Sequence, residues 1–370
     1  MTRKTLKPAL LTGFSLALGL VFASCATPAQ VAQPPVTEPA APEVPVIVEE
    51  DEPEYDPADV YEIEAAEYEE YVPDEVLPPY WPLTGVQTDD DLDRPIIGVK
   101  IENTGPARPQ IGLEFADQVW EIVVEGGITR FIALYQSNYP AEVGPIRSAR
   151  TSDIGVMTPL NAVLVFSGGY GPAISRIQMY SIQTMAEGRN AGFRRATDRR
   201  APHNVIGNMQ AFVDNANEDR RVRYPQALWA DDLQGSSAYL TGDDVSRISV
   251  RVSPAQTTNW DWDPISETFL RSDGTRPSVS NTGVRHAATN VLVAKMDQGS
   301  FAGVPETQMM GSGPAIIAAG GRVIEGTWEK PTMYRPLRFF DAAGEEVKLA
   351  PGQSWIMLST ASANNWTLTP

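Results

Sequence analysis

VWEIVVEGGITRFIALY, residues Val119 to Tyr135, is the stretch that decides the fold. Two runs rich in Val, Ile, Trp, Phe and Tyr flank Gly126-Gly127, and β-branched and aromatic residues hinged on glycines read as a β-hairpin with a polar elbow. Outward from it, PIIGVKIEN (Pro95 to Asn103) reads as another strand. LNAVLVF (Leu160 to Phe166), closed by Gly168-Gly169, reads as a buried one, and Pro172 to Met185 is expected to supply a helix. After the turn-rich Gly242 to Asp244 the texture changes to strand-like runs: Ile248 to Ser253, Glu267 to Arg276, Asn290 to Met296, Arg338 to Leu349 and Ser354 to Thr360. This predicts a two-part α+β body, the later region mostly antiparallel β and forming a sheet layer of its own. The expected parts are residues 82–240 and a β-rich 241–370.

Upstream of the body the chain reads as an export signal and a spacer. MTRKTLK carries Arg3, Lys4 and Lys7 without an acid, and the apolar run that follows, Pro8 to Ala23, is too short and too dotted with Gly and Ser for a membrane span. It ends in Phe22, Ala23, Ser24 and Cys25, similar to the lipobox at which bacterial lipoproteins are cleaved and acylated, with Phe22 where leucine is usual. The expectation is a signal peptide over 1–24, lipidation of Cys25, and an extracytoplasmic protein lipid-anchored to the bacterial cell membrane. Cys25 is the sole cysteine, which excludes an intramolecular disulfide. Residues 26–82 hold 12 prolines, 16 Asp or Glu and no Lys or Arg, so most of the formal charge of −18 belongs to this segment, and residues 83–370 carry −5. Such a composition buries too little apolar surface to offset chain entropy, so residues 25–81 read as a disordered acidic Pro-rich tether.

PLTG (Pro82 to Gly85), the run Arg94 to Tyr135, GPIRSAR (Gly144 to Arg150) and RRAPHN (Arg199 to Asn204), with IEGTWEK and PGQSWI downstream, resemble the YerB-like lipoprotein family, also called DUF3048. The resemblance implies an N-terminal and a C-terminal domain in a sandwich-like α+β arrangement. It transfers no catalytic residue, so a site has to be argued from chemistry.

GPIRSAR is the first candidate. Ser148 is a plausible helix N-cap, and Arg147 and Arg150 would then flank a helix N-terminus, where cations are unfavourable unless carboxylates or an anionic ligand meet them. Glu121 and Glu125, four apart on one predicted strand, are expected on one sheet face as partners, so an internal Arg/Glu network and a ligand site both stay open. The second candidate is Arg189 to Asn204, with five arginines, one of only two histidines, and Asp198 as the single acid. The expected binding set is Arg147, Ser148, Arg150, Arg199, Arg200, His203 and Asn204, taking an anionic envelope polymer or a small anionic ligand. The alternative is a hydrolase or transferase with Glu121 or Glu125 as acid or base and His203 as proton shuttle; Ser148, His203 and Asp153 as a triad is a conjecture.

Other chemistries find little support. His203 and His286 form no HxxxH or HExxH pattern, so no zinc site is expected, and Asp89 to Asp93 lacks the glycine and distal glutamate of a calcium loop. No GxGxxG or P-loop suggests a cofactor, and five arginines on an acidic chain give no nucleic-acid footprint. Trp260 and Trp262 alternate in NWDWD as a sugar-stacking pair would, though buried aromatics are the commoner outcome.

Overall fold

A computed structural model describes residues 79–220, 226–360 and 365–370. The expected signal peptide, Cys25 and most of the acidic tether lie outside the described residues. The hairpin forms as its sequence dictates: β2 (Gln118–Val123) pairs antiparallel with β3 (Thr129–Tyr135), Gln118 opposite Leu134 and Val123 opposite Thr129. The turn between them needs left-handed backbone at Gly126 and Gly127 (φ 67° and 70°), which a side chain would strain. β1 (Ile97–Glu102) lies on the other side of β3, and all six of its residues are buried.

Three further strands, β4 (Glu142–Val143), β7 (Phe193–Arg195) and β8 (Val205–Asn208), form a small sheet, while β5 (Val163–Phe166) and β6 (Gln183–Ala186) extend the large one. Among the described residues the large sheet has eleven strands. It runs from β6 through β5, β1, β3 and β2 to the strands Ser354–Thr360, Asn290–Met296, Gly311–Ala319 and Arg322–Lys330, with Asp243–Asp244 and Arg338–Phe340 paired to the last. A six-stranded sheet built on Arg247–Ser253, Gln256–Asp263 and Thr268–Asp273 covers one of its faces. The core between them holds Phe131, Trp260 and Trp355, with Trp355 edge-on to the other two at 5.4 and 5.2 Å. Short helices and loops, Ile154–Met157 among them, cover the opposite face.

The second region therefore makes a sheet layer of its own and also completes the first. Strand Ser354–Thr360 pairs parallel with β2 on one side and with Asn290–Met296 on the other. Residues from Pro79 onward belong to one compact unit. Burial on both faces explains why these central strands read as nearly unbroken apolar runs, SWIMLST and NVLVAKM. Trp260 is fully buried, with its indole N–H 3.5 Å from Met357 Sδ, and the half-buried Trp262 packs on Phe269, so the two do not form an exposed sugar platform. The helix expected over Pro172 to Met185 ends at Met179: Ser181 takes positive φ (54°), and Gln183–Ala186 pairs parallel with β5.

Candidate functional site

β5 lies parallel to β1 and β6 parallel to β5. The chain leaves the carboxyl end of β1 towards β2, on one side, and leaves β5 through helix Gly171–Met179 towards β6, on the other. The chain thus departs in opposite directions from the carboxyl ends of neighbouring parallel strands, the position at which open α/β sheets take ligands. GPIRSAR lies at this position. Glu102 N donates to Pro145 O (2.9 Å) and Arg147 N to Lys100 O (2.8 Å); on the far side Ser167 N donates to Arg147 O (2.9 Å) and Ala149 N to Gly168 O (3.2 Å). Arg147 and Ser148 are thereby held between β1 and the glycine-rich loop Ser167–Pro172 that opens the helix.

Glu102, 1% exposed, is the centre of the polar cluster. It accepts from Thr104 Oγ1 at 2.6 Å, and its carboxylate lies 2.9 and 3.0 Å from His203 Nδ1 and 3.1 Å from Arg147 Nε. Arg147 and His203, drawn from the two candidate clusters, thus meet on one buried carboxylate with their side chains 21% and 24% exposed. Beside them Arg150 forks onto Glu125 (2.7 and 2.8 Å) and donates to Ala149 O. Lys100 and Asp153, both fully buried, lie 2.5 Å apart, and burial draws the Lys100 ammonium below its ordinary pKa.

Arg130 is different. It is 6% exposed and makes one hydrogen bond, from Nη1 to Ser148 O (3.2 Å); its Nε is buried with no partner, and among the described residues no carboxylate lies within ion-pair distance. Burial first, then the charges of Arg150 and Arg147, bring its pKa down to about 10 against the opposing pull of the Glu125 and Asp153 carboxylates. A cation in such surroundings carries a cost that a bound anion would relieve.

Several expected sites fall elsewhere. Ser148 is not the helix cap: the turn Thr151–Asp153 is closed by the Asp153 carboxylate, which accepts from Arg150 N at 2.8 Å. Asp153 is thereby committed to Lys100 and Arg150, and the carboxylate on His203 is Glu102, which removes the conjectured triad. Glu121 and Glu125 do not share a face, because strand alternation ends at Val123. Glu121 points into the sandwich, accepting from Thr129 (2.7 Å) and Arg271 (3.2 Å), while Glu125 sits in the turn, 43% exposed. Arg199 clamps the carbonyls of Ala107 (2.7 Å) and Pro109 (2.6 Å), Arg200 is exposed, and Asn204 is buried between Ala196 O and Arg195. Arg195 pairs with Glu187 at 2.8 Å, and Glu187 also accepts from Ser167 beside the glycine-rich loop. Sequence reasoning missed Lys100, Glu102 and Arg130. The signal was there: charged residues at alternate positions inside otherwise apolar strands need partners in the fold. Among the described residues no group of three or more His, Cys, Asp or Glu could hold a metal, and no helix is long and apolar enough to cross a membrane.

Comparison with known proteins places this geometry in context. Residues 83–223 match the model described as "Protein of unknown function (DUF3048) N-terminal domain", and residues 248–356 match its C-terminal domain. The chain is 28% identical over 297 residues to the "Putative lipoprotein YerB" of Bacillus subtilis (strain 168), covering 77% of this chain and 87% of the relative. The crystal structure of the Bacillus subtilis YerB protein superposes with a TM-score of 0.69 at 23% identity, over 80% of this chain and all of that one, and so shares the fold.

Proposed function

Given that the chain belongs to the DUF3048 family, whose two domains it carries in order, we propose that it is a membrane-anchored extracytoplasmic lipoprotein that captures an anionic group of a cell-envelope component at the carboxyl ends of β1 and β5. The observation that carries this reading is Arg130, nearly sealed from water beside Arg147 and Arg150, with no carboxylate within ion-pair distance among the described residues. Arg147 and His203, part-exposed and aligned by Glu102, supply donors at the rim, and several donors from different sides suit a carboxylate, sulfate or phosphate group. The test is calorimetric titration of the full chain with anionic envelope polymer, wild type against Arg147→Gln and His203→Asn. A loss of about tenfold in affinity with an unchanged melting temperature supports the reading. Equal affinity in all three proteins refutes it.

A hydrolase or transferase reading rests on one specific contact. In the neutral imidazole a carboxylate on His203 Nδ1 holds the proton there and leaves Nε2 as an acceptor, the arrangement of a general base, whereas anion capture uses the imidazolium, in which Nε2 donates. Turnover of an envelope polymer that vanishes in His203→Asn, and not in Glu121→Gln, would favour it over simple binding.

A further inference from the structure

A second cavity, of about 480 Å³, lies at the other end of the central sheet. β1 and β2 both run antiparallel to β3 and so point the same way. The proposed anion site is at the carboxyl end of β1, whereas this cavity is lined by Asp117, immediately before β2, and by Asn138, shortly after β3. Its size falls within the roughly 300–1,000 Å³ of small-molecule sites.

The lining has a definite chemistry. Phe115 leaves 43% of its surface exposed at the cavity, beside Trp81, and among the described residues no lysine or arginine lines it. Asp117 is saturated, accepting from the backbone N–H groups of Gln136 (2.5 Å) and Ser137 (2.9 Å) and from the Ser137 hydroxyl. Glu114 is not: Oε1 accepts from Thr282 (3.1 Å), while Oε2 is buried without a donor. That oxygen is closed to water in this conformation, so a ligand donor meets it once the carboxylate turns towards the cavity. Asn138, exposed, supplies a further donor and acceptor.

Two carboxylates exclude an anion. Arg94, whose guanidinium stands over Trp81 at 5.3 Å and donates to Ser137 O, disfavours a cation. What remains is a neutral molecule with hydroxyl donors for Glu114, mixed groups for Asn138, and an apolar ring face for Phe115. We infer that this cavity is a carbohydrate-binding site for a neutral oligosaccharide, separate from the proposed anion site and at the opposite end of the same sheet.

The test is calorimetric titration of the full chain with chitotetraose, maltotetraose and tetralysine. The expected result is saturable binding of one or both sugars with Kd of about 1 mM or tighter, weakened by about tenfold in Phe115→Ala and Glu114→Gln and unchanged in Arg147→Gln. Neither side chain is core, and Asn138→Ala, on an exposed residue, repeats the test without disturbing the fold. No binding of either sugar up to about 10 mM, binding indifferent to all three substitutions, or preference for tetralysine would overturn the inference.

Discussion

Replacing Arg271 by methionine tests the claim that Glu121 is a structural rather than a functional carboxylate. Arg271 and Glu121 are both fully buried, 3.2 Å apart, and join strands from the two family domains. The guanidinium also bonds Asp273 (2.9 Å) and Ser278 (3.0 Å) and lies against the rings of Phe131 and Trp355, at 5.2 and 5.1 Å. In Arg271→Met, Asp273 keeps Arg108 at 2.9 Å, so one carboxylate, Glu121, loses its cation and retains only neutral donors such as Thr129. Stranding one buried charge costs about 3–5 kcal/mol, a large share of the roughly 5–15 kcal/mol that holds a domain folded. Glu121→Gln is milder, about 1–3 kcal/mol, because Arg271 still has Asp273. The double variant should be more stable than the two single losses predict, by at least about 1 kcal/mol, since removing both partners leaves nothing unpaired. Urea unfolding read by tryptophan emission measures all three, with Trp355 as the local reporter. A loss below about 1 kcal/mol for Arg271→Met, or strict additivity in the double variant, would refute the reasoning.

Arg150→Gln is expected to cost only about 1 kcal/mol, because Glu125 is 43% exposed and water replaces its partner; a thermal melt reads this directly. Two buried groups give opposing pH dependences. Burial raises the Asp117 carboxyl to about 6, so its contribution, present below its ordinary 3.8, is lost as pH rises through 6; burial, aided by Arg271, lowers His286 to about 3, so its contribution, present above 6.5, is lost as pH falls towards 3. Between pH 4 and 6 each contributes a slope of about 1.4 kcal/mol per pH unit at most, so Asp117→Asn should show stability rising with pH and His286→Gln stability falling, and urea midpoints parallel to wild type in both would count against these assignments. Cys25→Ser should abolish incorporation of a fatty-acid analogue and release the protein from membranes; a wild-type protein that takes up no label would end the lipid-anchor proposal.

The strands that matter most were legible because their signal is local. Val119 to Tyr135 folds as the hairpin its glycines and β-branched residues require, and Asn290 to Met296 and Ser354 to Thr360 form the strands their apolar runs suggest. Local pattern fixes an element but not its neighbour. Nothing within SWIMLST says that it lies between β2 and Asn290–Met296, because the match of two apolar edges is a property of the assembled sheet. The same limit governed the charged residues. Composition marked the arginine clusters, and alternation marked Glu121, but Glu125 left the strand's face because the chain had already turned. The meeting of Arg147 with His203 depends on Glu102, 45 and 101 residues away from them, as does the isolation of Arg130 on its neighbours. A buried charge must be paired or matched by a ligand, and which residues are near enough to do so is decided when the sheet closes around them.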